Sequence, residues 1–148
     1  MRVMDSVLKQ SGHFKSFDGA EIYFESRGEG TPLIFCYGIG CLFNHWSPQI
    51  KHFSKTHQAI MFDYRGHHKT EIPENKNSLT IEALAKDLIA LCEHQNIKKA
   101  NVVAHSFGTQ VLLQACRLRP ELFEKIIFIN GLYRNPFEAM IDADKFVE

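Results

Sequence analysis

The order of hydrophobic segments predicts an α/β protein whose sheet is mostly parallel, with helices on both faces. Three observations carry this expectation. Two strand-like segments bracket Asp18-Gly19, a turn pair that suits a hairpin. Continuous apolar runs such as Leu33-Ile34-Phe35-Cys36-Tyr37 suit strands buried on both faces. Between these runs lie segments whose apolar residues recur at helical spacing, and such alternation produces a parallel sheet.

Taken in order, residues 12–27 read as two short strands, the second at 21–26. Arg27-Gly28-Glu29-Gly30 breaks the pattern before the strand at 33–37. Residues 46–55 can form a short helix that tolerates Pro48 in its first turn. A strand at 58–64 runs into Asp63-Tyr64-Arg65-Gly66. Thr80 then suits a helix N-cap, followed by a stripe of Ile81, Leu84, Ala85, Leu88, Ile89 and Cys92. Residues 100–104 read as a strand, 108–119 as a helix ended by Pro120, and 125–130 as a last strand. The expected organisation is a core over residues 1–131, with 132–148 the start of a cap or a disordered end.

Composition excludes several function classes. Seventeen Lys/Arg balance seventeen Asp/Glu, and no basic stretch is interleaved with aromatics, so nucleic acid is not an expected partner. No apolar run approaches the ~20 residues of a membrane span, and residues 1–10 lack a signal-peptide core. A cytoplasmic location is therefore expected. Cys36, Cys41, Cys92 and Cys116 read as reduced structural thiols. The spacing of Cys36 and Cys41 has no matching His/Cys pair elsewhere to complete a zinc site. Neither a metal nor an organic cofactor is implied.

Parallel sheets bind ligands beyond the carboxyl ends of their strands. There, Ala104-His105-Ser106-Phe107-Gly108 follows a strand and opens a helix. A serine on so sharp a turn needs small residues two before and two after it, and Ala104 and Gly108 supply them. The alternative is an ordinary turn whose serine caps the helix.

Three segments together resemble the α/β-hydrolase superfamily, in particular its serine esterase and lactonase-like group, over about residues 12 to 131. Tyr37-Gly38-Ile39-Gly40 is similar to the His-Gly-x-Gly loop after the third strand. Asp63-Tyr64-Arg65-Gly66-His67-His68 is similar to the Asp-x-Arg-Gly-x-Gly turn after the fourth, and residues 104–108 to the nucleophile elbow after the fifth. The resemblance implies Ser106 as nucleophile and the backbone N–H groups of Ile39 and Phe107 as an oxyanion hole. Gly38 and Gly40 would let the loop approach substrate. Asp63 and Arg65 would be structural, satisfying loop backbone and each other. Serine rather than aspartate at the elbow argues against dehalogenase and epoxide hydrolase chemistry.

Four positions depart from the family pattern. Tyr37 replaces a histidine that braces the loop, His68 a glycine whose backbone would strain a side chain, Ala104 the first elbow glycine, and Thr109 a glycine after it. In this family the acid and then the histidine follow the serine. All eight histidines here precede Ser106, and Asp142 and Asp144 fall in the cap-like segment. The fold is therefore expected to stop after about the sixth strand, leaving an apolar sheet edge prone to association. The chain alone is expected to turn over negligibly. Two functions follow: a hydrolase of carboxylic esters or related small acyl substrates acting through an acyl-enzyme, or a non-catalytic binding or signalling module on a truncated scaffold.

Overall fold

The computed structural model describes residues 8–131. They form strands β1 (Leu8–Lys15), β2 (Glu21–Arg27) and β3 (Thr31–Cys36), helix α1 (Ser47–Phe53) and strand β4 (His57–Phe62). Helix α2 (Ile81–His94), strand β5 (Ala100–His105), helix α3 (Phe107–Leu118) and strand β6 (Phe123–Ile129) complete the order. The residues expected to begin a cap, 132–148, lie outside the described residues.

The sheet order is β1-β2-β4-β3-β5-β6. β2 runs antiparallel to β1 and β4, whereas β3 is parallel to both β4 and β5, and β5 to β6. The mostly parallel sheet, opened by an antiparallel hairpin, is as expected. The chain steps from β3 to β4 in one direction and from β4 to β5 in the other. Right-handed crossovers therefore place α1 on one face and α2 on the other, with α3 beside α2. The packing agrees. Phe35 of β3 meets the rings of Trp46 and Phe53 at 5.3 and 6.5 Å. The next residue, Cys36, points the other way, towards Cys92 of α2 and Cys116 of α3. This reversal of direction beside β3 is where doubly wound sheets open a crevice.

The core gathers Ile22, Phe24, Ile34, Phe35, Ile60, Met61, Phe62, Leu88, Leu91 and Leu112, all essentially without solvent exposure. Each such side chain contributes about 1.5–3 kcal/mol by leaving water. Thr80 caps α2, its hydroxyl accepting from the Ala83 N–H at 3.1 Å, as its sequence position predicts. α1 begins later than the apolar pattern suggests, because a single tight turn at Phe43–Trp46 precedes it. β6 differs from the inner strands: Ile126, Ile127, Phe128 and Ile129 are 38–56% exposed. Neighbouring strand residues point to opposite faces, so both faces of this edge are uncovered among the described residues.

Candidate active site

Ser106 sits between β5 and α3 with φ 51° and ψ −121°. That region disfavours any residue with a Cβ and typically costs about 1–3 kcal/mol. The turn is held from several sides. The Ser106 N–H donates to the Ile129 carbonyl at 3.0 Å, and its own carbonyl accepts from the Thr109 N–H at 3.0 Å and hydroxyl at 2.6 Å. Thr109, which looked like a mere replacement for glycine, thus fastens the bend. Ser106 occupies the N-cap position of α3, yet its side chain makes no capping hydrogen bond. The ordinary capping serine is therefore not what this turn contains.

The small residues around Ser106 have visible reasons. A Cβ on Gly108 would lie 2.8 Å from the carbonyl oxygens of both Cys36 and Tyr37. The glycine lets α3 press directly on the end of β3. Ala104 is fully buried between its neighbours Cys36 of β3 and Phe128 of β6. A Cβ on Gly38 would stand 3.4 Å from the Ser106 Cβ and 3.5 Å from both Cys41 Sγ and His105 Nδ1. The Gly38 loop and the serine turn are in contact.

That loop is a tight turn. The Cys41 N–H donates to the Gly38 carbonyl at 3.1 Å, and Gly40 has φ 71° at the third position, which fits the glycine preference of a type II turn. The Ile39 side chain is exposed. The Phe107 N–H opens α3, one of the amides that a helix leaves without an internal acceptor. Partial positive charge from the helix accumulates at the same end.

The loop after β4 braces the Gly38 turn. The Tyr37 hydroxyl donates to Asp63 Oδ1 at 3.2 Å and accepts from the Tyr64 N–H at 3.0 Å, while the Tyr64 hydroxyl donates to the Tyr37 carbonyl at 2.9 Å. The phenol thus supplies the bracing that a histidine was expected to give. Burial raises the Asp63 carboxyl above the usual range. The Lys69 N–H, the Tyr37 hydroxyl and His68 act against that rise. His68 has φ 45°, left-handed as the family pattern implies, and its Nδ1 lies 3.2 Å from Asp63 Oδ2.

One expectation is corrected. Asp63 and Arg65 do not pair with each other. Arg65 turns instead to Asp87 of α2, at 2.7 Å through both Nε and Nη2, and to Asp18 in the first hairpin turn at 2.5 and 2.9 Å. Ser16 also donates to Asp87, at 2.5 Å. The physical reason is burial. The Arg65 guanidinium has no exposure, and a buried cation needs more than one acceptor. Asp87 was missed because it lies on the apolar face of α2, among positions that read only as core; a charge inside such a stripe is the available signal.

The remaining nucleophile candidates are weaker. Burial pushes the Cys92 thiol up to about 12 and raises Cys36 as well, so neither forms a thiolate readily. Among the described residues no group of three or more His, Cys, Asp or Glu could hold a metal ion, and no helix is long and apolar enough to cross a membrane. A polar cleft lined by residues including His13, Asp18, Lys69 and Glu71 contains neither Ser106 nor the Gly38 loop.

Comparison with known proteins accounts for this arrangement. Residues 31–148 match the family model described as the alpha/beta hydrolase fold. The (E)-2-((N-methylformamido)methylene)succinate hydrolase of Acinetobacter baylyi is 31% identical over 121 residues, covering 79% of this chain and 43% of its own. An epoxide hydrolase structure from Vigna radiata superposes with a TM-score of 0.79 at 29% identity, covering 90% of this chain and 45% of that one. A carboxylesterase study of Nitrososphaera gargenis gives a structure with a TM-score of 0.80 at 27% identity, covering 91% and 51%. The chain thus spans about half the length of these relatives or less. It belongs to the α/β-hydrolase family.

Proposed function

We propose that the chain carries the nucleophile and the oxyanion-stabilising part of a serine hydrolase acting on carboxylic esters or related small acyl compounds. The observation that carries this reading is Ser106 itself, held at φ 51° and ψ −121° with its hydroxyl unused as a helix cap. Strain of this kind persists only where the surrounding structure enforces it, and it concentrates at functional sites. Contact between the Ser106 turn and the Gly38 loop adds support, as does similarity to a carboxylesterase. The serine hydroxyl also favours acyl transfer over the epoxide opening for which other relatives are named.

In the reaction, Ser106 Oγ attacks the acyl carbonyl carbon as a base takes its proton. The carbonyl oxygen gains the negative charge and accepts hydrogen bonds from the Ile39 and Phe107 N–H groups. Collapse expels the alcohol or amine with a proton, and water then releases the acid from the acyl-enzyme. Each oxyanion donor is worth about 3–4 kcal/mol in the transition state. Among the described residues no histidine hydrogen-bonds the Ser106 hydroxyl, and the base is not assigned.

The test is labelling of the full-length protein, its catalytic base included, with a fluorophosphonate and mass mapping of the adduct. Labelling at Ser106, abolished in Ser106→Ala, is expected. Failure to label, or equal labelling of the variant, would overturn the enzymatic reading in favour of a binding module.

A further inference from the structure

The geometry points to His67 as a positioning residue that holds the oxyanion loop through the Gly40 amide, working as the neutral ring with its proton on Nδ1. This inference rests on the proposed role of Ser106. It extends that role to a residue outside the three segments' expected chemistry.

Two contacts define the ring state. His67 Nδ1 lies 3.2 Å from the Arg65 carbonyl oxygen, which can only accept, so Nδ1 carries a proton. His67 Nε2 lies 3.2 Å from the Gly40 nitrogen, an amide that can only donate, so Nε2 is bare. One tautomer satisfies both partners. A doubly protonated ring would turn N–H against N–H at Gly40.

The anchor behind this contact is rigid. The guanidinium of Arg65 is clamped by Asp87 of α2 and Asp18 of the hairpin. Its carbonyl therefore gives His67 a fixed acceptor. From there the ring reaches across to the peptide that follows Ile39, one residue from the proposed oxyanion donor. The chain of contacts runs from α2 through Arg65 and His67 to the loop that touches Ser106. The ring is also packed, tilted against Tyr37 at 6.1 Å and edge-on to Tyr64 at 5.7 Å.

The two phenols packed against the ring add no charge of their own. The phenols of Tyr37, at the end of β3, and Tyr64, on the loop of His67 itself, are both raised by burial and stay neutral. Asp63 is engaged by Tyr37, His68 and the Lys69 amide, and the charged end of Arg65 by Asp18 and Asp87. A proton added at Nε2 would remove the acceptor that holds Gly40.

Two readouts on the full chain test this. The first is hydrogen exchange of the Gly40 amide by NMR, with the His67 ring titration followed in the same samples. Gly40 protection is expected to fall about fivefold, the worth of one neutral hydrogen bond, in step with protonation of the ring. His67→Phe, which keeps an aromatic body but removes the acceptor, is expected to show the lowered protection at every pH. His67→Gln, whose side-chain oxygen can accept without titrating, is expected to keep protection throughout. The second readout is the rate of Ser106 phosphonylation, expected to follow the same order across the variants. Gly40 exchange indifferent to ring protonation, or full protection in His67→Phe, would overturn the inference. An inert Ser106 with the Gly40 pattern intact would instead sink the hydrolase reading and leave the loop anchor standing.

Discussion

Gly108→Ala pits two opposed effects against each other, and the structure decides between them. Gly108 is the second residue of α3, where alanine normally stabilises a helix by about 0.5–1 kcal/mol. The added Cβ, however, would lie 2.8 Å from two carbonyl oxygens, those of Cys36 and Tyr37, and 2.9 Å from the Cys36 carbonyl carbon. Comfortable contacts between carbon atoms start at about 3.5 Å. These obstacles are backbone at the end of a central strand and cannot rotate aside. Either α3 retreats or β3 bends, and overpacking of this kind costs about 1–3 kcal/mol. The net expectation is a loss of about 1–2 kcal/mol, seen as a lower urea midpoint with unchanged slope. A retreat of α3 would also carry the Phe107 N–H away from the proposed oxyanion position, so on the proposed function fluorophosphonate labelling of Ser106 should slow by about tenfold or more. An unchanged or higher midpoint, with labelling within about twofold of the parent, would refute the reasoning that close approach at Gly108 positions the turn.

Other perturbations read different parts of the same arrangement. Ser106→Gly should be more stable than Ser106→Ala by about 1 kcal/mol in urea unfolding, reversing the usual order, because only glycine relaxes at φ 51°; the ordinary order would show that the turn is unstrained. Asp87→Ala should cost about 3 kcal/mol, the low end for a broken buried pair since Asp18 still meets Arg65. Adding Arg65→Met should recover part of that loss, and a loss below about 1 kcal/mol from Asp87→Ala alone would contradict the network. Asp18 is held below the usual carboxylate range, chiefly by its hydrogen bonds from Arg65. Its contribution is therefore present above the unfolded-state value and lost as pH falls through the folded one. Asp18→Asn should flatten the acid side of the stability–pH curve. Asp63, raised by burial, acts with the opposite sign but is common to both proteins. A curve of identical shape for the variant would count against the pairing.

Much of this molecule is legible in the sequence because its signals are local. Asp18-Gly19 marks the hairpin, Thr80 marks the start of α2, and the apolar runs mark the parallel strands. The serine turn is legible for the same reason, since the demand for small residues at 104 and 108 is met within five positions. What escaped is long-range. Arg65 is 22 residues from Asp87 and 47 from Asp18, so nothing in its neighbourhood names its partners. Asp63, two positions away, was the nearer candidate, but both residues lie past the end of β4, where the chain turns, and Asp63 meets Tyr37 and His68 while Arg65 meets Asp18 and Asp87. The replacement of a histidine by Tyr37 looked like a loss because only residue type was visible. In the fold the phenol reaches both Asp63 and the Tyr64 amide. His67 was read as part of a turn, since its link to Gly40 spans 27 residues and depends on how two loops meet.

The account stands or falls on where the negative charge would go once Ser106 has reacted. A crystal structure of the phosphonylated protein addresses this directly, because the phosphoryl oxygen takes the place of the tetrahedral oxyanion. The account predicts that oxygen within about 2.7–3.1 Å of both the Ile39 and the Phe107 nitrogens, with Gly40 still bonded to His67. An adduct whose oxygen faces solvent, with the Ile39 N–H turned elsewhere, would contradict it.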